Sequence, residues 1–186
     1  MSKQAKIAVL GGGSWATAIV KMLSENLENI GWYMRSAYAI EHIKRNKHNP
    51  SYLSSVEFNL SQLKLSNDIN EAAAYADMLI IVIPSAFVHK ELEKLSVDVS
   101  NKIVVSAVKG IIPESGLLLG EHFNKNYNIP FNNIGVIAGP CHAEEVALER
   151  LSYLTISCAD PTKAQAIANA LSSNYIKTKI SDDIIG

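Results

Sequence analysis

Residues 6–18 read KIAVLGGGSWATA, and three kinds of local chemistry follow one another within them. Residues 6–10 form a short β-branched apolar run of the kind that fills a buried strand. Gly11-Gly12-Gly13 then breaks the run, and Ser14-Trp15-Ala16 starts a segment with helical spacing. The glycines fit the pattern G-x-G-x-x-A. In that pattern Gly11 permits a tight turn, Gly13 leaves no side chain in the way of an approaching pyrophosphate, and Ala16 lets the helix sit close on the strand. The helix start adds free N–H groups and a positive dipole end, both suited to phosphate. Strand, glycine turn and helix in this order are the context in which the pattern signals dinucleotide binding.

The same alternation continues along the chain. Further strand-like runs occupy residues 30–34, 78–83, 102–107, 134–138, 153–158 and 175–180, with a weaker one at 63–65. Helical spacing fills residues 15–26, 37–47, 69–75, 86–95, 116–125, 143–149 and 161–172. Residues 78–83 (MLIIVI) and 102–107 (KIVVSA) are nearly continuous in apolar character, as strands covered on both faces must be. The expected fold is therefore α/β: a Rossmann-like, doubly wound, mostly parallel sheet of about eight strands with helices on both faces. Pro161 after Asp160 marks one helix start, Asn70-Glu71 another, and residues 46–61 read as a surface loop. Ser181-Asp182-Asp183 reads as a helix N-cap cluster ahead of Ile184-Ile185, so a second domain is expected to begin there.

Composition narrows the function. The 186 residues are 48% apolar and 19% charged, enough to bury about 70% of the unfolded surface without staples. Seventeen Lys+Arg against eighteen Asp+Glu leave a net charge of −1, so no global basic field is expected to hold nucleic acid. The longest apolar run, residues 78–84, is too short to span a bilayer, and no signal-peptide core follows the N-terminus. With only Cys141 and Cys158, a cytoplasmic, reducing setting is expected.

The strand ends carry the remaining chemistry, since open α/β sheets bind ligands at the carboxyl ends of their strands. After the second strand stand Arg35-Ser36 rather than the acid that grips the ribose of NAD, so NADP(H) is favoured, with NAD(H) also accommodated. Lys109-Gly110 follows residues 102–107, and Gly139-Pro140-Cys141-His142 follows residues 134–138. Cys141 and His142 are sequence neighbours, which rarely meet as nucleophile and base, and His142 with Glu145 is only a pair, short of a metal site.

Taken together, LGGGSWATA (10–18), NPSYL (49–53), VIPS (82–85), AVKGI (107–111), AGPCHAEEVA (138–147) and SDDIIG (181–186) resemble the bacterial-type NAD(P)-dependent sn-glycerol-3-phosphate dehydrogenases. The resemblance runs the length of the chain. It implies that Ser14, Trp15, Arg35, Lys109 and Ala143 contact the cofactor, and that Lys109, Gly139 and Cys141 contact the substrate. Cys141 stands where the family often has Ser or Thr. The resemblance also implies reversible hydride transfer between NAD(P)H and dihydroxyacetone phosphate, giving glycerol 3-phosphate for phospholipid synthesis, and it allows a homodimer. No catalytic residue is assigned within the chain, because the family carries its proton-transferring lysine in a C-terminal helical domain beyond SDDIIG. On that reading residues 1–186 are one cofactor-binding domain. Rival readings are a 6-phosphogluconate or β-hydroxyacid dehydrogenase, a non-catalytic nucleotide sensor, and a methyltransferase using S-adenosylmethionine. Trp15 and the KGI element speak against the first, the unfinished cap against the second, and the missing acid after the second strand against the third.

Overall fold

Alternate residues of each central strand leave for opposite faces of the sheet, and here both faces are apolar. Ile7 and Val9 of β1 (Ile7–Leu10) join one core, Ala8 and Leu10 the other. Met78 and Ile80 of β4 (Met78–Ile81) divide from Leu79 and Ile81 in the same way. That division is why the sequence shows continuous apolar runs rather than alternation. The computed structural model describes residues 5–185. Its remaining strands are β2 (Ile30–Tyr33), β3 (Leu63–Ser66), β5 (Ile103–Ser106), β6 (Ile134–Ala138), β7 (Ser152–Cys158) and β8 (Ile176–Ser181). They form one eight-stranded sheet in the order β3-β2-β1-β4-β5-β6-β7-β8. The strands from β3 to β6 are parallel, β7 is antiparallel to β6, and β8 is parallel to β7. The expected doubly wound α/β sheet is therefore what the chain adopts.

The helices are α1 (Ser14–Ser24), α2 (Ala37–Asn46), α3 (Ile69–Tyr75), α4 (Ser85–Leu92), α5 (Leu119–Tyr127), α6 (Ala143–Ala147) and α7 (Pro161–Leu171). Apolar residues of α1, α2, α6 and α7 belong to one core, and those of α3, α4 and α5 to the other. The strand order reverses at β1, whose neighbours are β2 and β4, so a crevice opens at the carboxyl end of β1.

Local chemistry decides the boundaries. Helix α3 keeps its expected span of 69–75, but its start signal is Asp68 rather than Asn70-Glu71, since Asp68 Oδ1 accepts from the Asn70 N–H at 2.8 Å. Helix α5 begins at Leu119 rather than at Gly116, because Gly116 sits at φ +67 in a turn and donates its N–H to the Ile112 carbonyl. Glu121 then closes the start by accepting from the Leu118 N–H at 2.9 Å. Residues 47–59 of the expected loop are irregular, between the end of α2 and a 3-10 turn at Leu60–Gln62, but not merely superficial, since Val56 and Phe58 enter the core and Asn49 is only 1% exposed. At the far end the capping bonds form without a helix: Ser181 Oγ accepts from the Asp183 N–H, and Asp183 Oδ1 from that of Ile185, both at 3.1 Å. Residues 182–185 form bends rather than a helical turn, and Gly186 lies outside the described residues. No helix among the described residues is long and apolar enough to cross a membrane.

Candidate dinucleotide site

The crevice holds a cavity of about 360 Å³. The glycine turn forms one side of it, Arg35, Ser36 and Tyr38 a second, the loop Asn49–Tyr52 a third, and Pro84, Phe87 and Glu91 of the β4–α4 region the last. Parallel pairing brings these together: Val9 lies beside Trp32 and Ile80, so the chain leaves all three strands on the same side.

Gly11 and Gly13 meet different demands. Gly11 has φ +145, and a Cβ there would lie 2.4 Å from the Val82 carbonyl oxygen, so no other residue fits. A Cβ on Gly13 would meet nothing within 4 Å, and Gly13 lines the cavity. Its bare backbone leaves room for a ligand at the start of α1, where the cap supplies no side-chain bond to the first-turn amides. These features fit a pyrophosphate. Ser14 and Trp15 open α1 behind the turn, half-buried, outside the cavity lining.

Arg35 is exposed at the cavity's edge. Ser36 caps α2, its Oγ accepting from the Ala39 N–H at 3.2 Å, and the first turn of α2 contains no acid. Of the lining residues, Glu91 is the one carboxylate. It is 4% exposed and accepts at Oε1 from both Tyr33 Oη and Lys94 Nζ, the latter at 2.8 Å. Burial works to raise its pKa, but the bonds from Lys94 and Tyr33 and the charge of Arg35 outweigh it and hold the carboxyl below its ordinary value. Burial, and then the Glu91 carboxylate, push the Tyr33 phenol well above its ordinary value. The cavity therefore contains an ionised acid that is already engaged.

The other residues singled out in the sequence stand elsewhere. Lys109 is exposed after β5, next to Gly110 at φ +79. Gly139 follows β6 at φ +136, where a Cβ would lie 2.7 Å from the Tyr153 carbonyl oxygen. The Cys141 thiol is buried and donates to the Tyr153 carbonyl at 3.0 Å, and burial raises its pKa. Ala143, also buried, starts α6. These four share the carboxyl ends of neighbouring strands but do not line the cavity. Among the described residues no three His, Cys, Asp or Glu side chains gather as a metal site would require. Sequence reasoning missed Tyr33, Tyr38, Phe87 and Glu91. Asn49–Tyr52 carry no assigned role in the sequence beyond their place in NPSYL (49–53). Asn-Pro in the middle of a long loop was the available sign that this loop is held in place.

Comparison with known proteins supplies the family. Residues 6–164 match the model for the NAD-dependent glycerol-3-phosphate dehydrogenase N-terminus. A glycerol-3-phosphate dehydrogenase [NAD(P)+] from Lysinibacillus sphaericus is 31% identical over 184 residues, covering 97% of this chain and 54% of the relative. One from Pseudomonas syringae pv. tomato is 30% identical over 186 residues, covering 100% and 54%. The structure of glycerol-3-phosphate dehydrogenase from Plasmodium falciparum superposes with a TM-score of 0.85 at 22% identity, covering 96% of this chain and 53% of that one. The chain thus spans about half the length of the relatives it matches. It belongs to the family of NAD-dependent glycerol-3-phosphate dehydrogenase N-termini.

Proposed function

We propose that this chain is the cofactor-binding half of a cytoplasmic enzyme that interconverts sn-glycerol 3-phosphate and dihydroxyacetone phosphate in glycerophospholipid synthesis, with NADP(H) preferred over NAD(H). The observation that carries the reading is the cavity bounded on one side by the glycine turn and on the other by Arg35-Ser36. The turn and the start of α1 receive the pyrophosphate. Arg35 meets the 2′-phosphate of the adenosine, with no acid in the first turn of α2 to repel it. Ser14, Trp15 and Ala143 complete the cofactor contacts. Lys109 lies between cofactor and substrate, and Gly139 and Cys141 border the substrate. Bound NAD(P)H supplies the hydride for the substrate carbonyl. The chain's part is to hold and orient the cofactor at the strand ends. The group that protonates the forming alkoxide comes from the half that the longer relatives carry, and the reading is compatible with a homodimeric full-length enzyme.

The test is kinetic. The chain joined in cis to the C-terminal half of a relative should oxidise NADPH in the presence of dihydroxyacetone phosphate. In that protein Lys109→Met should lower kcat/KM sharply while the melting temperature stays nearly constant. An active fusion with normal kinetics after Lys109→Met would remove Lys109 from the site. A folded fusion that binds neither dinucleotide would overturn the reading as a whole.

A further inference from the structure

Three successive peptide carbonyls in the glycine turn are each held by a different buried side chain. Trp32 Nε1 donates to the Gly11 carbonyl at 2.8 Å. Asn49 Nδ2 donates to the Gly12 carbonyl at 3.2 Å. Thr17 Oγ1 donates to the Gly13 carbonyl at 2.9 Å. The last two are linked, since Asn49 Nδ2 also donates to Thr17 Oγ1 at 2.9 Å. Trp32 and Thr17 are 0% exposed and Asn49 is 1%.

A trans peptide is planar, with C=O and N–H on opposite sides. A donor that fixes the carbonyl of residue i therefore fixes the direction of the N–H of residue i+1. Fixing the carbonyls of Gly11, Gly12 and Gly13 sets the N–H groups of Gly12, Gly13 and Ser14, each turned away from its buried donor. The glycines that permit the turn are also the residues least able to hold it, because glycine has the widest choice of backbone conformation. Left alone, such a loop would lose much of its ordering entropy on meeting a ligand.

We infer that Trp32, Asn49 and Thr17 form a carbonyl-side clamp that preorganises the amides of Gly12, Gly13 and Ser14 for the pyrophosphate. Thr17 and Asn49 are its adjustable members and act as positioning residues. The inference rests on the dinucleotide reading above. The clamp does more than stiffen the turn. Asn49 Oδ1 accepts from the Ser51 N–H at 3.0 Å, so one amide side chain ties the glycine turn to the loop that forms the cavity's third side. The purpose of an Asn-Pro in that loop follows: Asn49 supplies donor and acceptor in opposite directions, and no apolar residue or carboxylate could do both.

The experiment compares Thr17→Val, Thr17→Ser, Asn49→Ala and the double variant Thr17→Val/Asn49→Ala with the unaltered chain. Affinities for NADPH and NADH are read by calorimetry and that for adenosine, which lacks the pyrophosphate, by saturation-transfer NMR. Thr17→Val keeps the side-chain shape and removes the hydroxyl, so it should weaken the better-bound dinucleotide about tenfold, the scale of one hydrogen bond. Adenosine affinity should not change, and Thr17→Ser should bind within about threefold of the unaltered chain. Because the two side chains act through one bond, the double variant should bind little worse than the weaker single variant. Dinucleotide binding by Thr17→Val equal to the unaltered chain would overturn the clamp. So would equal losses for adenosine and dinucleotide, which mark a general structural role. Failure of the unaltered, folded chain to bind either dinucleotide would instead overturn the reading beneath it.

Discussion

A methyl group on Gly11 would press into the Val82 carbonyl at 2.4 Å, while one on Gly13 would stand free in the mouth of the cavity. The two glycines should therefore separate under substitution. Gly11→Ala combines the clash with a backbone at φ +145 and should lower unfolding free energy by at least about 1–3 kcal/mol, the scale of backbone strain at such a site. Gly13→Ala should leave urea-unfolding stability within about 0.5 kcal/mol of the parent, as for substitutions that break no contact. Its dinucleotide affinity should nonetheless fall, because the methyl takes the ligand's space. A stable Gly13→Ala chain with full affinity would show that the pyrophosphate does not lie over Gly13. Arg35 stands on another side of the cavity. If it reads a 2′-phosphate, Arg35→Ala should weaken NADPH by about 1–3 kcal/mol, the range for a hydrogen bond to a charged group, and NADH far less. Equal losses in calorimetric titration would mean that Arg35 does not read the phosphate.

At the scale of elements, α4 and α5 face each other through histidines. His122 of α5 is 4% exposed, its ring 5.8 Å from that of His89 on α4 and near those of Phe123 and Tyr127. Its Nδ1 is 3.0 Å from Asn126 Nδ2, an arrangement that uses the neutral ring as acceptor. Burial, with a smaller contribution from His89, lowers its pKa from 6.5. The unfolded chain then binds the proton more readily than the folded one. The stability His122 allows is complete above pH 6.5 and is lost as pH falls through 6.5 toward the lower folded value. His122→Gln should flatten this part of the profile, which urea midpoints at pH 8 and pH 5 would reveal; parallel profiles would assign the acid sensitivity elsewhere. The same helix shows what the sequence could and could not disclose. Its apolar spacing was legible, but its start was not, because Gly116 is equally a helix residue or a left-handed turn until Ile112 and Glu121 supply partners. The glycine turn and the alternation of strands and helices could be read because each depends on neighbours in sequence. Glu91 and Phe87 could not, because only the crossover from β4 to α4 carries them to the cavity, and Tyr33, at the end of β2, gains its partner Glu91 only through that crossover.

The whole molecule sets the last expectation. Its sheet is buried on both faces by its own helices, so the 186 residues have the core needed to fold and to present the cavity. Yet they match only about half the length of their relatives, and in the proposed reading the proton donor belongs to the other half. Leu148 and Leu151, just ahead of β7, and Tyr153 within it are large apolar side chains left exposed. Binding and turnover should accordingly come apart in this chain. Its melting temperature should climb with dinucleotide concentration by mass action, since only the folded state binds. Oxidation of NADPH by dihydroxyacetone phosphate should stay below detection, since losing a general acid costs about 10²–10⁴ in rate and losing the substrate's orienting walls costs more. Joining the relatives' C-terminal half in cis should restore the reaction without changing dinucleotide affinity by more than a few-fold. Robust turnover by the 186 residues alone would place the proton donor on this chain, with Lys109, exposed at the end of β5, the first residue to substitute.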